Sequence, residues 1–402
     1  MSAFLFVVPP LTGHINPAVG VAARLTARGH RVAWACADPA LVRRLAGPDA
    51  EVHGCAGPVP GADGAVRPPE LRGAEALKFL WERYLLPLAD AMAPGVRAAV
   101  QEVGPDVVVA DQQAFAGALV AERFGLPWAT SATTSAEFSG AYDGLPKVAE
   151  WLRRSLAELR TRIGDPAGTA DPRFSPHLLL IFSTPELIGP QAPLAPHIHY
   201  VGPSLAGRPA GPGFPWERLD QGRAKVLVTL GTANADAGGR FLTECLTALR
   251  ARADRVQAVM TDPGGVLPVP PGDKDVLVFP SVPQLPLLER MDAVVCHAGH
   301  NTVCEALWHG VPLVVAPIRD DQPVVAGQVV DAGAGVRVRF GRVTADRLGA
   351  ALDTTLTDPA LRAAAARIRT AFRAAGGTRA AVAHLEHLAD HTDFADSEAE
   401  SR

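Results

Sequence analysis

The sequence predicts an α/β protein made of two doubly wound, parallel-sheet domains. Three observations predict it. At 402 residues the chain is long for one domain and suits two. Apolar runs of strand length alternate with helical patterns from end to end, which is how successive βα units read. A stretch rich in Pro and Gly and poor in periodicity, residues 202–222, divides that alternation into halves.

In the first half, strands are expected near residues 3–8, 31–35, 107–110, 128–130 and 178–182. Their near-continuous Val, Leu and Ala runs suit parallel strands covered on both faces. The first helix has readable ends: Asn16 as N-cap, Pro17 at the first helical position and Gly29 just past the last. In the second half, strands are expected near 225–229, 256–260, 276–279, 293–296, 313–315 and 335–339. Helices 359–374 and 378–388 follow. The acidic, polar tail 391–402 is expected to be disordered.

Composition narrows the function. The chain is 48 % hydrophobic, enough for a large core, and its net charge is −4 with no basic stripe, which excludes nucleic acid as a partner. The five cysteines (Cys36, Cys55, Cys245, Cys296 and Cys304) have no metal-type spacing and read as buried free thiols of a cytosolic protein. No apolar stretch approaches the length of a membrane span. The amino end enters a strand at once, without the charged segment that opens a signal peptide. A cytoplasmic protein with no stable membrane insertion is expected.

The most informative stretch runs from His297 to Thr302, between an apolar run and a helical pattern. A loop that leaves a strand's carboxyl end and opens a helix presents backbone N–H groups and the positive end of the helix dipole. Such a place binds anions, phosphate above all. His297 can donate to a phosphate oxygen, Gly299 can let the backbone approach, and Asn301 and Thr302 can donate or cap. Glu305 follows in the helix, and Asp321 and Gln322 follow the next apolar run. A phosphate site, a carboxylate and a carboxylate–amide pair near one sheet edge suit a nucleotide sugar. Gly231 and Thr232 end strand 225–229 at the same edge. No Asp-x-Asp pair follows a strand, so no metal site is expected.

In the first half, His14 precedes the first helix and Asp111 follows the strand 107–110. Imidazole titrates near neutrality and suits general-base work. A carboxylate bonded to the far ring nitrogen would fix its tautomer. On spacing alone, His14 also reads as a loop histidine and Asp111 as the N-cap of the next helix.

Four blocks, in order, resemble one family: "PPLTGHINPAVGVAARLTARGHRV", "PDVVVADQQAFAGALVAERFGLPW", "KVLVTLGT" and "VPQLPLLERMDAVVCHAGHNTVCEALWHGVPLVVAPIRDDQ". They are similar to the inverting UDP-glycosyltransferase superfamily, and within it to bacterial antibiotic, macrolide-type glycosyltransferases. The resemblance covers nearly the whole chain and thins near residues 54–103 and 142–177. It implies the GT-B fold, two Rossmann-like domains facing each other across a cleft that holds the active site. It implies an acceptor-binding domain over 1–203, a linker over 204–222, a nucleotide-sugar domain over 223–375 and a helix over 376–390 packed back on the first domain.

The resemblance makes His14 the base and Asp111 its helper. It puts Gly231, Thr232, His297, Gly299, Asn301 and Thr302 at the diphosphate, Glu305 at the ribose, and Asp321 and Gln322 at the sugar. Gln284 and the Val282 backbone fall in the same donor segment. The family's usual base-stacking tryptophan is Ser281 here, which leaves UDP and dTDP both open, and the asparagine often found three residues after the Gln322 position is Val325. The implied co-substrate is a UDP- or dTDP-sugar, with no cofactor, and the implied acceptor is a hydrophobic natural product. Phe79, Trp81, Tyr84, Phe138 and Tyr142 lie in the family's variable acceptor region, although aromatics at such spacing also read as plain core. Monomer and homodimer both fit. Two other functions are carried alongside: a catalytically idle auxiliary of a glycosyltransferase, and an enzyme of cell-wall precursors with the same fold. A dinucleotide oxidoreductase is excluded, because no G-x-G-x-x-G follows the first strand.

Overall fold

The computed structural model describes residues 1–59, 71, 73–136, 145–189, 194–208, 211–231, 238–270 and 272–400. By internal contacts the chain forms two compact units. The first comprises Met1–Ser183, Gln191–Pro209 and Ala375–Arg402; the second comprises Thr184–Pro190 and Ala210–Ala374.

The first unit carries strands β1 (Ala3–Val7), β2 (Arg31–Cys36), β3 (Glu51–Gly54), β4 (Val107–Asp111), β5 (Trp128–Ala132), β6 (Leu178–Ile181) and β7 (Ile198–Tyr200). Its helices are α1 (Thr12–Ala27), α2 (Pro39–Ala46), α3 (Gly73–Leu80), α4 (Leu86–Val103), α5 (Phe115–Arg123) and α6 (Pro146–Ile163), with a π-helical turn, Trp81–Leu85, joining α3 to α4. The short helix α7 (Pro185–Ile188) belongs to the second unit, where Leu187 enters the core. That unit carries β8 (Ala224–Thr229), β9 (Val256–Thr261), β10 (Val276–Phe279), β11 (Ala293–Cys296), β12 (Leu313–Val315) and β13 (Gly335–Arg337). Its helices are α8 (Gly239–Arg250), α9 (Gln284–Leu288), α10 (His300–Trp308), α11 (Gln322–Asp331), α12 (Ala345–Thr357) and α13 (Pro359–Ala375), and α14 (Thr378–Glu400) closes the chain in the first unit.

Both sheets are parallel, in the orders β3-β2-β1-β4-β5-β6-β7 and β10-β9-β8-β11-β12-β13. Alternate side chains enter opposite cores, as the period of two requires. In the first unit Leu5, Val7, Val108 and Ala110 pack under α4, α5 and α6. Phe4, Phe6, Val107 and Val109 pack under α1, α2 and α14. The second unit repeats the arrangement, with Leu227 and Val294 on the α10 side and Val226, Val228 and Val295 on the α8 side.

Several boundaries differ from the sequence expectation. β3 and β7 are edge strands of four and three residues without an apolar run, so periodicity does not reveal them. α1 begins at Thr12 with Leu11 as its cap, and Pro17 lies inside the helix. Burial of Ile15 in the core draws the preceding turn into the helix, overriding the Asn-Pro signal. The stretch expected as a linker over 204–222 is shared between the units, and Phe214, Trp216 and Leu219 pack on the second core. The tail is helical to Glu400, because residues 379–400 contain no Gly or Pro to stop α14.

α14 seats against α1 through Ala381, Val382 and Leu385. Glu386 accepts from Arg28 Nε and, at 3.0 Å, from His30 Nε2. The seat needs Gly20: a Cβ there would overlap the Ala206 carbonyl oxygen and lie 3.0 Å from Ser204 Oγ and 3.1 Å from Thr378 Oγ1. Backbone cannot yield as a flexible side chain does. Gly20→Ala is therefore expected to destabilise the protein by about 1–3 kcal/mol in urea denaturation, and an unchanged midpoint would contradict this packing.

Candidate functional site

In each sheet the strand order reverses once, at β1/β4 and at β8/β11. The chain leaves β1 towards α1 on one face and leaves β4 towards α5 on the other. The carboxyl ends of those two strands therefore part, and the crevice they leave is where doubly wound sheets bind ligands. His14 comes from the first turn of α1, and Asp111 is the last residue of β4. The two sequence candidates meet at this switch point.

His14 Nδ1 lies 2.9 Å from Asp111 Oδ1 and 3.0 Å from Oδ2. The carboxylate side chain is fully buried and the imidazole is 15 % exposed. Asp111 Oδ1 also accepts the Gln113 backbone N–H at 2.8 Å, and Oδ2 accepts the Thr133 hydroxyl at 2.9 Å. Thr133 Oγ1 lies 2.8 Å from His14 Nδ1. An imidazole whose Nδ1 faces a carboxylate carries its proton there, so Nε2 holds the lone pair. Asp111 is thus no helix cap; α5 is capped by Ala114. Thr133 is the residue that sequence reasoning missed. Its only signal was position, just past β5, the neighbour of β4.

At the switch point of the second unit, Gly231 follows β8 and His297 follows β11. The His297 ring lies between two glycines. A Cβ on Gly231 would fall 2.7 Å from His297 Cε1, and one on Gly299 would overlap His297 Nε2. Both glycines clear space for the ring, whereas the sequence suggested that Gly299 makes room for a ligand. Burial drives the His297 pKa down to about 4; the Thr229 backbone opposes this and the Arg319 charge adds to it. His297 is therefore a neutral ring at neutral pH, able to donate one N–H but bringing no charge. Its Nδ1 is buried, with no hydrogen-bond partner among the described residues.

Positive potential at this edge comes from α10. Its N-cap, Gly299, offers no side chain to accept from the first-turn N–H groups. Asn301 and Thr302 occupy the first turn, with Thr302 buried. Among the described residues, Ala298 (φ 64°) and Asp320 (φ 55°) are the two non-glycine residues in the left-handed region. One lies in the His297 loop and the other just before α11. Left-handed backbone costs a non-glycine residue about 1–2 kcal/mol, and such strain gathers at functional sites.

The other donor candidates lie along the same carboxyl edge. Glu305 is buried in α10 and accepts from Gln284 Nε2 of α9 at 2.5 Å, which joins two residues 21 apart in sequence. Val282 is half-buried on the core beside α9, and Pro283 caps that helix. Asp321 caps α11. Gln322 is buried, and its Oε1 accepts the backbone N–H groups of Ile318 (2.9 Å) and Arg319 (3.1 Å). The amide oxygen organises its own loop, which leaves the NH2 end as its donor. Among the described residues no group of three His, Cys, Asp or Glu side chains is placed to hold a metal ion. Among them, too, no helix is long and apolar enough to cross a membrane.

The acceptor candidates divide. Trp81 is 2 % exposed and sits against Phe115 (ring centroids 5.2 Å apart) and Trp151 (6.0 Å), so it is a core residue with no face for a ligand. Phe79 on α3 is half-buried. Tyr84 rests on the core, with its hydroxyl buried and unpartnered. Phe138, Tyr142 and Thr232 lie outside the described residues.

Residues 265–388 match the family model of the erythromycin biosynthesis protein CIII-like C-terminal domain. The chain is 31 % identical to 4'-demethylrebeccamycin synthase of Lentzea aerocolonigenes over 96 % of its length and 99 % of the relative's. The chain is a member of the bacterial antibiotic, macrolide-type glycosyltransferase family. It is also 30 % identical to demethyllactenocin mycarosyltransferase of Streptomyces fradiae, over 96 % of its own length and 87 % of that protein. The glycosyltransferase shares the GT-B fold, and the crystal structure of the glycotransferase of kitacinnamycin superposes with a TM-score of 0.74 at 28 % identity, covering 96 % of this chain and 98 % of that one.

The buried ring of the glycosyltransferase gives a pH prediction. The unfolded chain takes a proton on His297 below about 6.5, and the folded chain resists until about 4. Stability is therefore full above that window and falls as pH drops through it, by roughly 3 kcal/mol for this group. In a 15N NMR titration of the ligand-free protein the His297 ring is expected to stay neutral at pH 5. A midpoint at or above 6.5 would contradict the burial argument.

Proposed function

We propose that this glycosyltransferase moves a sugar from a UDP- or dTDP-sugar to a hydroxyl of a hydrophobic natural product, with inversion and without a metal ion. The observation that carries the reading is the buried Asp111 carboxylate bonded to His14 Nδ1. It leaves Nε2 as a base at a sheet switch point. His14 Nε2 takes the acceptor's hydroxyl proton, and the oxygen attacks the anomeric carbon. The bond from that carbon to the diphosphate breaks, and the nucleoside diphosphate leaves with the electron pair. Attack opposite the leaving group inverts the centre. Asp111 stabilises the imidazolium as it forms, and Thr133 holds the carboxylate in place.

The second unit supplies the other half of the chemistry. The amino end of α10 meets the diphosphate charge that grows as the bond breaks. His297 adds a neutral N–H, and Glu305, steadied by Gln284, suits the ribose hydroxyls. The relatives' names, a demethylrebeccamycin synthase and a demethyllactenocin mycarosyltransferase, support a natural-product acceptor. An idle auxiliary would have no use for a preserved base, carboxylate and hydroxyl at bonding distance.

His14→Ala is expected to lower transfer to aliphatic hydroxyls by about a hundred- to ten-thousand-fold, with nucleoside diphosphate affinity held within a few-fold. The base and the helix that meets the phosphate belong to different units. Steady-state kinetics and calorimetry with UDP and dTDP check this, and transfer within a few-fold of wild type would remove His14 from the mechanism. Transfer is also expected to survive excess EDTA. Full loss on chelation, restored by one divalent ion, would overturn the metal-free reading.

A further inference from the structure

Six of the chain's twelve histidines gather where α14 meets the β6–β7 edge of the first sheet, and the mechanism uses none of them. α14 carries His384, His387 and His391, spaced three and four apart and so on one face of the helix. His199 lies on the edge strand β7, and His177 leads into β6. His197 precedes β7, with its backbone oxygen already accepting the Leu179 N–H of β6 at 2.8 Å. The rings of helix and strand meet face to face. His199 stacks on His384 with centroids 3.7 Å apart and planes 19° from parallel. His387 and His391 lie 3.9 Å apart, and His391 and His177 line one cavity of about 430 Å³ beside the helix.

Among the described residues no carboxylate pairs with either ring of the stack. The acids of the surrounding elements are exposed or held elsewhere. On α14, Asp390 is exposed, and Glu386 turns to the opposite flank, where it accepts from Arg28 and His30. Glu122 lines the cavity but is held by Arg160 at 2.9 Å. Asp106, before β4, accepts the Ala3 N–H. β7 adds only the Tyr200 phenol, whose pKa burial raises. The groups facing the stack are therefore other imidazoles: His197 acts on His199, and His387 acts on His384.

We propose that the His199–His384 stack is a pH-sensitive latch: neutral rings hold one flank of α14 on β7, and protonation in weak acid frees that flank. Two imidazoliums at stacking distance repel, and no neighbouring carboxylate offsets the charge. Burial lowers the pKa of both rings; His197 lowers His199 further, and His199 and His387 lower His384 further. The unfolded chain takes these protons below about 6.5, whereas the folded pair resists. The latch is therefore closed above that pH and weakens as pH falls below it. Glu386 remains ionised well below pH 6 and keeps Arg28 and His30, so the release is one-sided. The helix concerned is the one that ends the chain's return from the second unit to the first.

Two measurements on the full chain test the latch. The first is hydrogen exchange of α14 and β7 at pH 7.5 and 5.5, corrected for the intrinsic pH dependence of exchange. In the wild type, opening of both segments is expected to rise by about tenfold or more between the two pH values. In His384→Phe and in His199→Phe, which keep a ring in the stack but remove one charge, the rise is expected to shrink to within about threefold. The second is a 15N NMR titration of the wild type, which does not depend on how well the variants seat the helix. Both rings are expected to titrate below 6.5. In each variant the remaining stack histidine is expected to move up from its wild-type midpoint. Wild-type opening that is unchanged by pH, a rise that survives both substitutions, or a midpoint at or above 6.5 for both rings overturns the proposal.

Discussion

The site depends on one constraint of parallel sheets. A strand in the middle of the order can send its connection to one face while its neighbour sends its own to the other. Where that happens, two loops part at the carboxyl edge and no helix covers the gap. This chain does it twice, between β1 and β4 and between β8 and β11. Each gap is bordered by a histidine, His14 in one unit and His297 in the other, and the two sit in opposite environments.

The difference is electrostatic. His14 is partly exposed, and its Nδ1 is held by a buried carboxylate. His297 is buried between two glycine backbones with no acidic partner among the described residues, and burial holds it neutral. A base needs the first environment. At an anion site, the second leaves attraction to backbone dipoles, which α10 supplies without a mobile counter-charge.

Much of this was legible in the sequence, for physical reasons. Central strands buried on both faces must be apolar throughout, so β1, β4, β8 and β11 announce themselves. Strand ends can then be read, which is why His14, Asp111, Gly231 and His297 could be placed at sheet edges before their partners were known. Four features were not legible. The Thr133 hydroxyl acts across two strands, and no local pattern records such a bond. The π-helical turn at Trp81–Leu85 has no local signature in the sequence. Gly299 looked like a place for a ligand to approach, but the atom that needs its space belongs to His297. The edge strands β3 and β7 escaped because an edge need not be apolar.

The central claim is that Asp111 fixes the tautomer that makes His14 a base. Asp111→Asn keeps the shape of the pair but removes the charge and can turn the ring to the other tautomer. The account predicts that transfer to an aliphatic hydroxyl falls by about a thousandfold or more, with UDP and dTDP binding as in the wild type. It also predicts that the His14 Nδ1 proton seen by 15N NMR in the wild type is lost in the variant. Transfer within tenfold of the wild type, or a wild-type ring already protonated at Nε2 rather than Nδ1, would contradict it.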